Sequence, residues 1–155
     1  DKPFKINDRI KISGFDGTVT EIGLRSTRLR TLENRIVTIP NSHFTGGLVE
    51  NISLEPTRKV IMTLGMVYET SADQMQKSMD ILADIHSKID GLSEDKTIGF
   101  TDFGDFSLGI TYIYFIKKGA DIIGVKTQLN LLILSEFNKH GLEMAFPTQT
   151  IYTKS

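Results

Sequence analysis

The sequence predicts an α+β protein built from two domains of different construction. The first 55 residues hold short β-rich runs separated by turn residues. After residue 60, strand patterns alternate with two apolar stripes at helical spacing. Pro56 interrupts the pattern between them. We therefore predict four parts: a domain at 1–55, a linker at 56–59, a domain at 60–146 and a C-terminal strand segment at 147–155.

Five short strands are predicted in the first domain. The runs DRIKISG and GTVTEIGL flank a turn at 14–17, where two glycines allow positive φ. The run LRSTRLRTL meets RIVTIP across Glu33-Asn34, Ser42 is placed to cap a single helical turn, and LVENISL is the fifth strand. Five short strands at this spacing are typical of a small five-stranded Sm-like β-barrel.

The second domain begins with the strand KVIMTLGMVY, followed by a helix over 71–90. Ser71 and Gln74 have the spacing of a capping box. The apolar stripe of this helix comprises Met75, Met79, Leu82, Ile85 and Ile89, which favours core packing over a methionine-lined binding groove. Two strands, TIGFTDF and SLGITYIYFI, come next and are joined through Gly104-Asp105.

A second helix is predicted to begin after Asp121, its N-cap. Its apolar side comprises Ile122, Val125, Leu129, Leu132, Ile133 and Phe137. Gly141 stands where a left-handed C-terminal cap belongs, and a short strand, QTIYT, follows Pro147. The order β-α-β-β-α-β is that of a ferredoxin-like α/β sandwich.

Composition limits the function classes. The formal net charge of −1 is weak evidence against a dedicated nucleic-acid binder, and the absence of cysteine excludes disulfides and thiolate chemistry. Residues 1–59 nevertheless carry 10 Lys/Arg against 7 Asp/Glu, or +3, whereas residues 60–155 carry 8 against 12, or −4. No apolar run approaches the roughly 20 residues of a membrane helix. The opening Asp1-Lys2-Pro3-Phe4 has no initiator Met and no signal peptide, so we expect an excised fragment.

No residue set predicts catalysis, a cofactor or a metal. The three histidines, His43, His86 and His140, lack metal-ligand spacing. Asp102 and Asp105 flank a turn, where Asp is favoured for backbone reasons. The glycines at 14 and 17 lack the following helix and lysine of a phosphate-binding loop. We predict that the protein is not an enzyme.

A group of arginines is the most unusual local feature: Arg25, Arg28, Arg30 and Arg35. At the two-residue period of a strand, neither face of the stretch GLRSTRLRT is cleanly apolar. Charged residues on an edge strand prevent it from pairing with other chains. This role explains one or two arginines, but it explains four arginines less well.

Several separated motifs resemble the cytoplasmic part of small-conductance mechanosensitive (MscS-like) channels. The family pattern runs P-F-x-x-G-D-x-(I/V), then G-x-V-x-x-I-x-x-R-S/T-T, R-T and I-P-N-S/G. The matching segments here are 3–10, 17–27, 30–31 and 39–42, with Asn7 in place of the usual Gly. The tail MAFPTQTIYT is similar to the family's F-P-x-Q-x segment. The resemblance covers nearly the whole chain.

The resemblance implies an inner-membrane channel opened by bilayer tension, which protects cells from osmotic shock. The chain would be the cytoplasmic vestibule of a homoheptamer, with pore helices upstream of Asp1 and ions and small solutes passing through side portals. It implies a portal-lining role for Glu55, Arg58 and Lys59 beside the domain junction. It also implies that Arg25, Arg28, Arg30 and Arg35 lie at a subunit interface or near the membrane.

An RNA-binding module is the alternative, because Sm-like and ferredoxin-like folds both bind RNA. It requires exposed aromatic side chains on the central strands. Tyr112, Tyr114 and Phe115 are the candidates, although the acidic second half opposes phosphate binding.

Overall fold

The structure is a computed structural model, and it describes residues 2–145 of the chain. The chain divides into two compact units, Asp1–Glu55 and Pro56–Ser155. We call them the β unit and the α/β unit and describe each by itself. Together they give a mixed α+β fold with two antiparallel sheets and, among the described residues, three α-helices.

The β unit is a five-stranded antiparallel sheet with the order β4-β3-β2-β1-β5. Its strands are β1 (Arg9–Ile12), β2 (Phe15–Ile22), β3 (Ser26–Thr31), β4 (Ile36–Pro40) and β5 (Glu50–Asn51). A short helix, α1 (His43–Gly46), precedes β5, and a 3₁₀ turn (Ile52–Leu54) follows it. The buried core comprises Phe4, Ile10, Ile12, Val19, Leu29 and Ile39.

Three details of the β unit differ from the sequence-based expectation. The β1–β2 turn lies at Ser13-Gly14, both with positive φ, so residues 15–17 belong to β2. The fifth strand has two residues, and no ladder joins β5 to β4 within residues 2–145, so the described sheet is not a closed barrel. Ser42 precedes α1, but its side chain makes no capping bond to the described chain.

The α/β unit places two helices against one three-stranded sheet. Its elements are β6 (Thr57–Met66), α2 (Ala72–Ser87), β7 (Leu92–Phe103), β8 (Leu108–Lys117) and α3 (Ile122–Lys139). The sheet order is β6-β8-β7, with both pairs antiparallel. The predicted strand at 147–155 lies outside the described residues.

The ends of both helices follow from their capping residues. Ser71 and Gln74 form the predicted capping box, with each backbone N–H donating to the other side chain at 2.9 and 3.2 Å. The Asp121 carboxylate accepts a hydrogen bond from the Gly124 N–H. Gly141 has a φ of 66°, and the Leu142 N–H donates to the Phe137 carbonyl, which confirms the predicted left-handed C-terminal cap.

The core of the α/β unit lies between the helices and one face of the sheet. Alternate side chains of the central strand β8 are buried there, including Ile110, Tyr112 and Tyr114. The predicted apolar stripes of both helices are buried or half-buried. Leu129 is fully buried, whereas Leu132 is only partly buried at the edge of the core. The helical period therefore identified the packing faces correctly.

Candidate functional site

The outward face of β3 carries two of the four arginines. Thr27 and Leu29 point inward and are 0% exposed, whereas Arg28 and Arg30 alternate with them and are exposed. The strand therefore has a clear inner face, contrary to the impression from its sequence, because threonine serves as a core residue here. Arg25 precedes β3, and Arg35 follows the turn beyond it, both exposed.

The arginine side chains make local, solvent-exposed contacts. An Arg28 Nη1 lies 3.5 Å from Glu21 Oε2, with both side chains more than half exposed. The Arg30 Nη1 donates to Asn34 Oδ1 at 2.9 Å. Such exposed contacts add little stability. Both guanidinium groups therefore remain accessible to an ion, a lipid headgroup or another subunit.

The arginines lie at different places rather than in one cluster. Arg28 and Arg30 share one face of β3, while Arg25 and Arg35 lie beyond its opposite ends. Exposed apolar side chains accompany them: Leu24 is 102% exposed and Leu32 is 66% exposed. The strand thus presents a mixed surface of positive charge and leucine, typical of a contact surface more than of a substrate pocket.

A partly buried polar contact joins two of the separated motifs. The Thr27 hydroxyl donates to Asn41 Oδ1 at 2.7 Å, and Asn41 Nδ2 donates to the Gly23 carbonyl at 2.8 Å. The Asn41 N–H also donates to the Arg25 carbonyl at 2.8 Å. Asn41 therefore fixes the 23–25 segment that carries Arg25. The sequence motifs contained both residues, but only the β3–β4 register shows that they meet.

The first motif forms a second polar anchor. Asp8 Oδ2 accepts hydrogen bonds from the Lys5 N–H and from Asn51 Nδ2. Arg9 and Asp16 form a two-point ion pair, with both N–O distances 2.9 Å, and this pairing raises the pKa of Arg9. Asn7 adopts a φ of 76°, a conformation that glycine also accepts. This explains how Asn can replace the glycine of the pattern.

The charged residues at 55–59 fall on two elements. Glu55 ends the 3₁₀ turn and is half-buried. Arg58 and Lys59 were expected in a linker, but they belong to β6, which begins at Thr57 and pairs them with Ile116 and Phe115 of β8. The strand extends further because its hydrogen-bonding partner, β8, continues to Lys117. Lys59 is exposed, whereas Arg58 is half-buried.

The remaining polar candidates are dispersed. His43 and His140 are exposed, whereas His86 is buried. Within the described residues, no group of histidine and carboxylate side chains is arranged to hold a metal ion. Asp102 and Asp105 are exposed near the β7–β8 turn. None of these groups builds a pocket with reactive chemistry.

The three aromatic residues predicted for RNA binding are buried or half-buried. Tyr112 and Tyr114 are 0% and 1% exposed and pack in the core of the α/β unit. Phe115 is half-buried on the other side of β8. Because RNA-binding sheets stack bases on exposed aromatic rings, this arrangement gives no support to the alternative function.

Family models match both structural units. The model described as "Mechanosensitive ion channel, beta-domain" matches residues 1–54, and the model described as "Mechanosensitive ion channel MscS, C-terminal" matches residues 60–144. The second match alone spans more than half of the chain. The chain belongs to the MscS family of mechanosensitive ion channels. This is a channel family, not an enzyme family.

Named relatives agree with this assignment. The small-conductance mechanosensitive channel MscMJ of Methanocaldococcus jannaschii is 37% identical over 154 residues, which cover 98% of this chain and 44% of the relative. The low conductance mechanosensitive channel YnaI of Escherichia coli is 32% identical, covering 98% of this chain and 46% of the relative. This MscS-family chain thus spans less than half the length of these two curated relatives.

A solved structure shares the whole fold. The crystal structure of Helicobacter pylori MscS in its closed state superposes with a TM-score of 0.85 at 26% identity, covering 99% of this chain and 60% of that one. Among residues 2–145 of the MscS-family chain, no helix has the length and apolar character needed to cross a bilayer.

Proposed function

We propose that this chain is the cytoplasmic vestibule of a tension-gated ion channel that acts as an osmotic safety valve. The observation that carries the proposal is the arrangement of the two family models, which match residues 1–54 and 60–144 in turn. Their boundary coincides with the division between the β unit and the α/β unit. The pore helices would be supplied by a part of the protein outside these 155 residues.

Self-assembly as a homoheptamer is part of the proposal. Isolated, each unit leaves large apolar side chains in water, which favours burial against another copy. In the β unit, Leu24 and Leu48 are 102% and 95% exposed. On α3, Ile123, Leu131 and Leu134 are exposed on the side away from the core stripe. A helix that is apolar on both sides is usually covered on both sides.

The arginines are proposed to lie at a subunit interface or close to an inner membrane, on its cytoplasmic side. Residues 1–59 carry the +3 charge, which complements an anionic lipid surface. Arg25, Arg28, Arg30 and Arg35 are all exposed and can exchange their present contacts for lipid phosphates or carboxylates of a neighbouring subunit.

We further propose that Glu55, Arg58 and Lys59 line a side portal and set the electric field met by permeating ions and small solutes. Support comes from their place in the sequence, where the first unit ends and the second begins, and from the exposure of Lys59. No cofactor or nucleic acid takes part in this function.

We also propose that the β unit is an Sm-like barrel and that the α/β unit is a ferredoxin-like sandwich. The strand order β4-β3-β2-β1-β5 is compatible with an Sm-like barrel in which the outer strands approach one another. The order β6-β8-β7, with α2 and α3 packed on one sheet face, is compatible with a ferredoxin-like sandwich.

Patch-clamp recording tests the channel function. The full-length protein that contains this chain is reconstituted in liposomes, and suction is applied to excised patches. We expect a conductance that appears only above a threshold of membrane tension. Patches that contain the protein but remain silent up to rupture would contradict the proposal.

The same recording tests the portal. In a salt gradient, Lys59→Glu should shift the reversal potential toward the value of a cation-selective channel. The reason is that it reverses an exposed charge at the proposed side portal. Lys118→Glu, at an exposed lysine in the β8–α3 connection, is the matched control and should leave the potential unchanged. Equal reversal potentials for Lys59→Glu and the parent channel would argue against a portal at this position.

A further inference from the structure

A buried histidine joins three elements of the α/β unit. His86 lies in the last turn of α2 and is 4% exposed. Its Nδ1 lies 2.5 Å from the Tyr112 hydroxyl on β8, and its Nε2 lies 2.8 Å from the Ser93 carbonyl oxygen on β7. The imidazole is therefore the polar link between the end of this helix and two neighbouring strands.

The partners determine which ring nitrogen carries the proton. A carbonyl oxygen can only accept, so Nε2 must carry hydrogen and donate to Ser93. Nδ1 of the neutral ring is then an acceptor for the Tyr112 hydroxyl. Tyr112 keeps its proton because burial raises the pKa of its hydroxyl. All three polar groups are satisfied only when His86 is neutral.

A second proton on His86 disrupts this arrangement. Nδ1 would become a donor facing a hydroxyl that is already a donor, and Tyr112 would have to rotate its hydrogen toward the apolar core. The titratable groups that act on the ring are Tyr112 on β8 and Lys96 on β7, while Tyr114 packs against the Tyr112 ring. Within residues 2–145, the groups that shift the pKa of His86 include no carboxylate. Burial first, and then the Lys96 charge, lower the pKa of His86, against the opposing effect of its bond to Ser93.

We propose that His86 is an acid-sensitive latch that holds the end of α2 to β7 and β8 when neutral and weakens this packing when the surrounding solution turns acidic. The sign follows from linkage. The unfolded chain gains the proton at about pH 6.5, whereas the folded chain gains it only at lower pH, so stability falls as pH drops below about 6.5. If the channel function is correct, the latch makes the wall of the proposed vestibule sensitive to acid. The latch itself depends only on the contacts of His86 and not on the channel function.

Two histidine variants of the whole chain isolate the latch. The parent carries His43→Gln and His140→Gln, which remove the exposed histidines and leave His86. The second chain adds His86→Gln, whose neutral amide cannot gain the proton. Urea midpoints of the α/β unit, followed by the NMR signals of β8 amides, are measured at pH 7.5 and pH 5.5. Between pH 7.5 and pH 5.5, the urea concentration at the midpoint should fall more for the parent than for the second chain. Equal decreases would overturn the proposal.

An NMR titration of the same parent keeps the proposal testable if His86→Gln does not fold. We expect the Nε2–H form at neutral pH and a pKa below the ordinary value of 6.5. Tyr112→Phe should raise this pKa, because it removes the donor that stabilises the neutral ring. An Nδ1–H form, a pKa at or above 6.5, or no change in Tyr112→Phe would each overturn the latch.

Discussion

The two units achieve their stability in different ways. Among residues 2–145, the α/β unit buries sixteen apolar side chains in one core that includes both long helices, whereas the β unit buries six. The small core of the β unit is accompanied by side-chain polar contacts, such as Thr27–Asn41 and Arg9–Asp16. Small domains bury a smaller fraction of their surface than larger ones.

This difference suggests a division of roles. The α/β unit has the core of an independently stable domain, while the β unit combines a small core with exposed leucines and arginines. We infer that the β unit is completed by neighbouring subunits in the proposed channel.

The largest stability loss is expected in the core of the α/β unit. Leu129 is 0% exposed, so Leu129→Ala should lower the free energy of unfolding by about 2–5 kcal/mol. Leu132→Ala, at the core margin, should cost less, and Leu131→Ala, at a position that is 61% exposed, is the near-neutral control. Native-state hydrogen exchange at the β8 and α3 amides of the three variants measures this order within the α/β unit. Equal losses for Leu129→Ala and Leu131→Ala would refute the assigned core face.

A smaller, local loss is expected in the β unit. Thr27→Val keeps the side-chain volume but leaves the Asn41 oxygen without the Thr27 hydroxyl, which should cost about 1–3 kcal/mol. Hydrogen exchange separates the two units, since one unfolding curve for a two-unit chain is not a single transition. Amides of β3 and β4 should exchange faster while those of β8 do not change. Thr38→Val, at an exposed position of β4, is the control.

The sequence was sufficient for much of the fold because helix periodicity and caps are local signals. The capping box at Ser71 and the left-handed Gly141 could be predicted from a few neighbouring residues. The inner face of β3 could not, because Thr27 and Thr31 are polar residues that the fold buries. The start of β6 at Thr57 was also missed, since pairing with β8 decides it.

The candidate site was predictable only in part. The motif residues pointed to the family, but the contact between Thr27 and Asn41 depends on strand register. His86 lies four residues C-terminal to Leu82 on the buried side of α2, yet its partners come from β7 and β8. Only the folded structure reveals these contacts between distant parts of the sequence.

The smallest expected effect on stability concerns the exposed arginines. The Arg28–Glu21 pair is more than half exposed, so a double-mutant cycle with Arg28→Ala and Glu21→Ala should give a coupling of less than about 1 kcal/mol. Native-state hydrogen exchange at the β2 and β3 amides of the four chains provides the coupling within the β unit. A value well above this would mean that the arginine face stabilises the isolated unit, which would weaken its assignment to contacts between subunits.

The association state of the chain tests most directly whether neighbouring subunits complete the β unit. Light scattering is measured at rising protein concentration for the parent chain and for Leu24→Glu, which places a charge at a fully exposed leucine. Thr97→Glu, at an exposed position of β7 in the other unit, is the control. We predict a species near seven times 17.4 kDa for the parent and the control, and a shift toward monomer for Leu24→Glu. A parent chain that stays monomeric at every concentration would contradict the account.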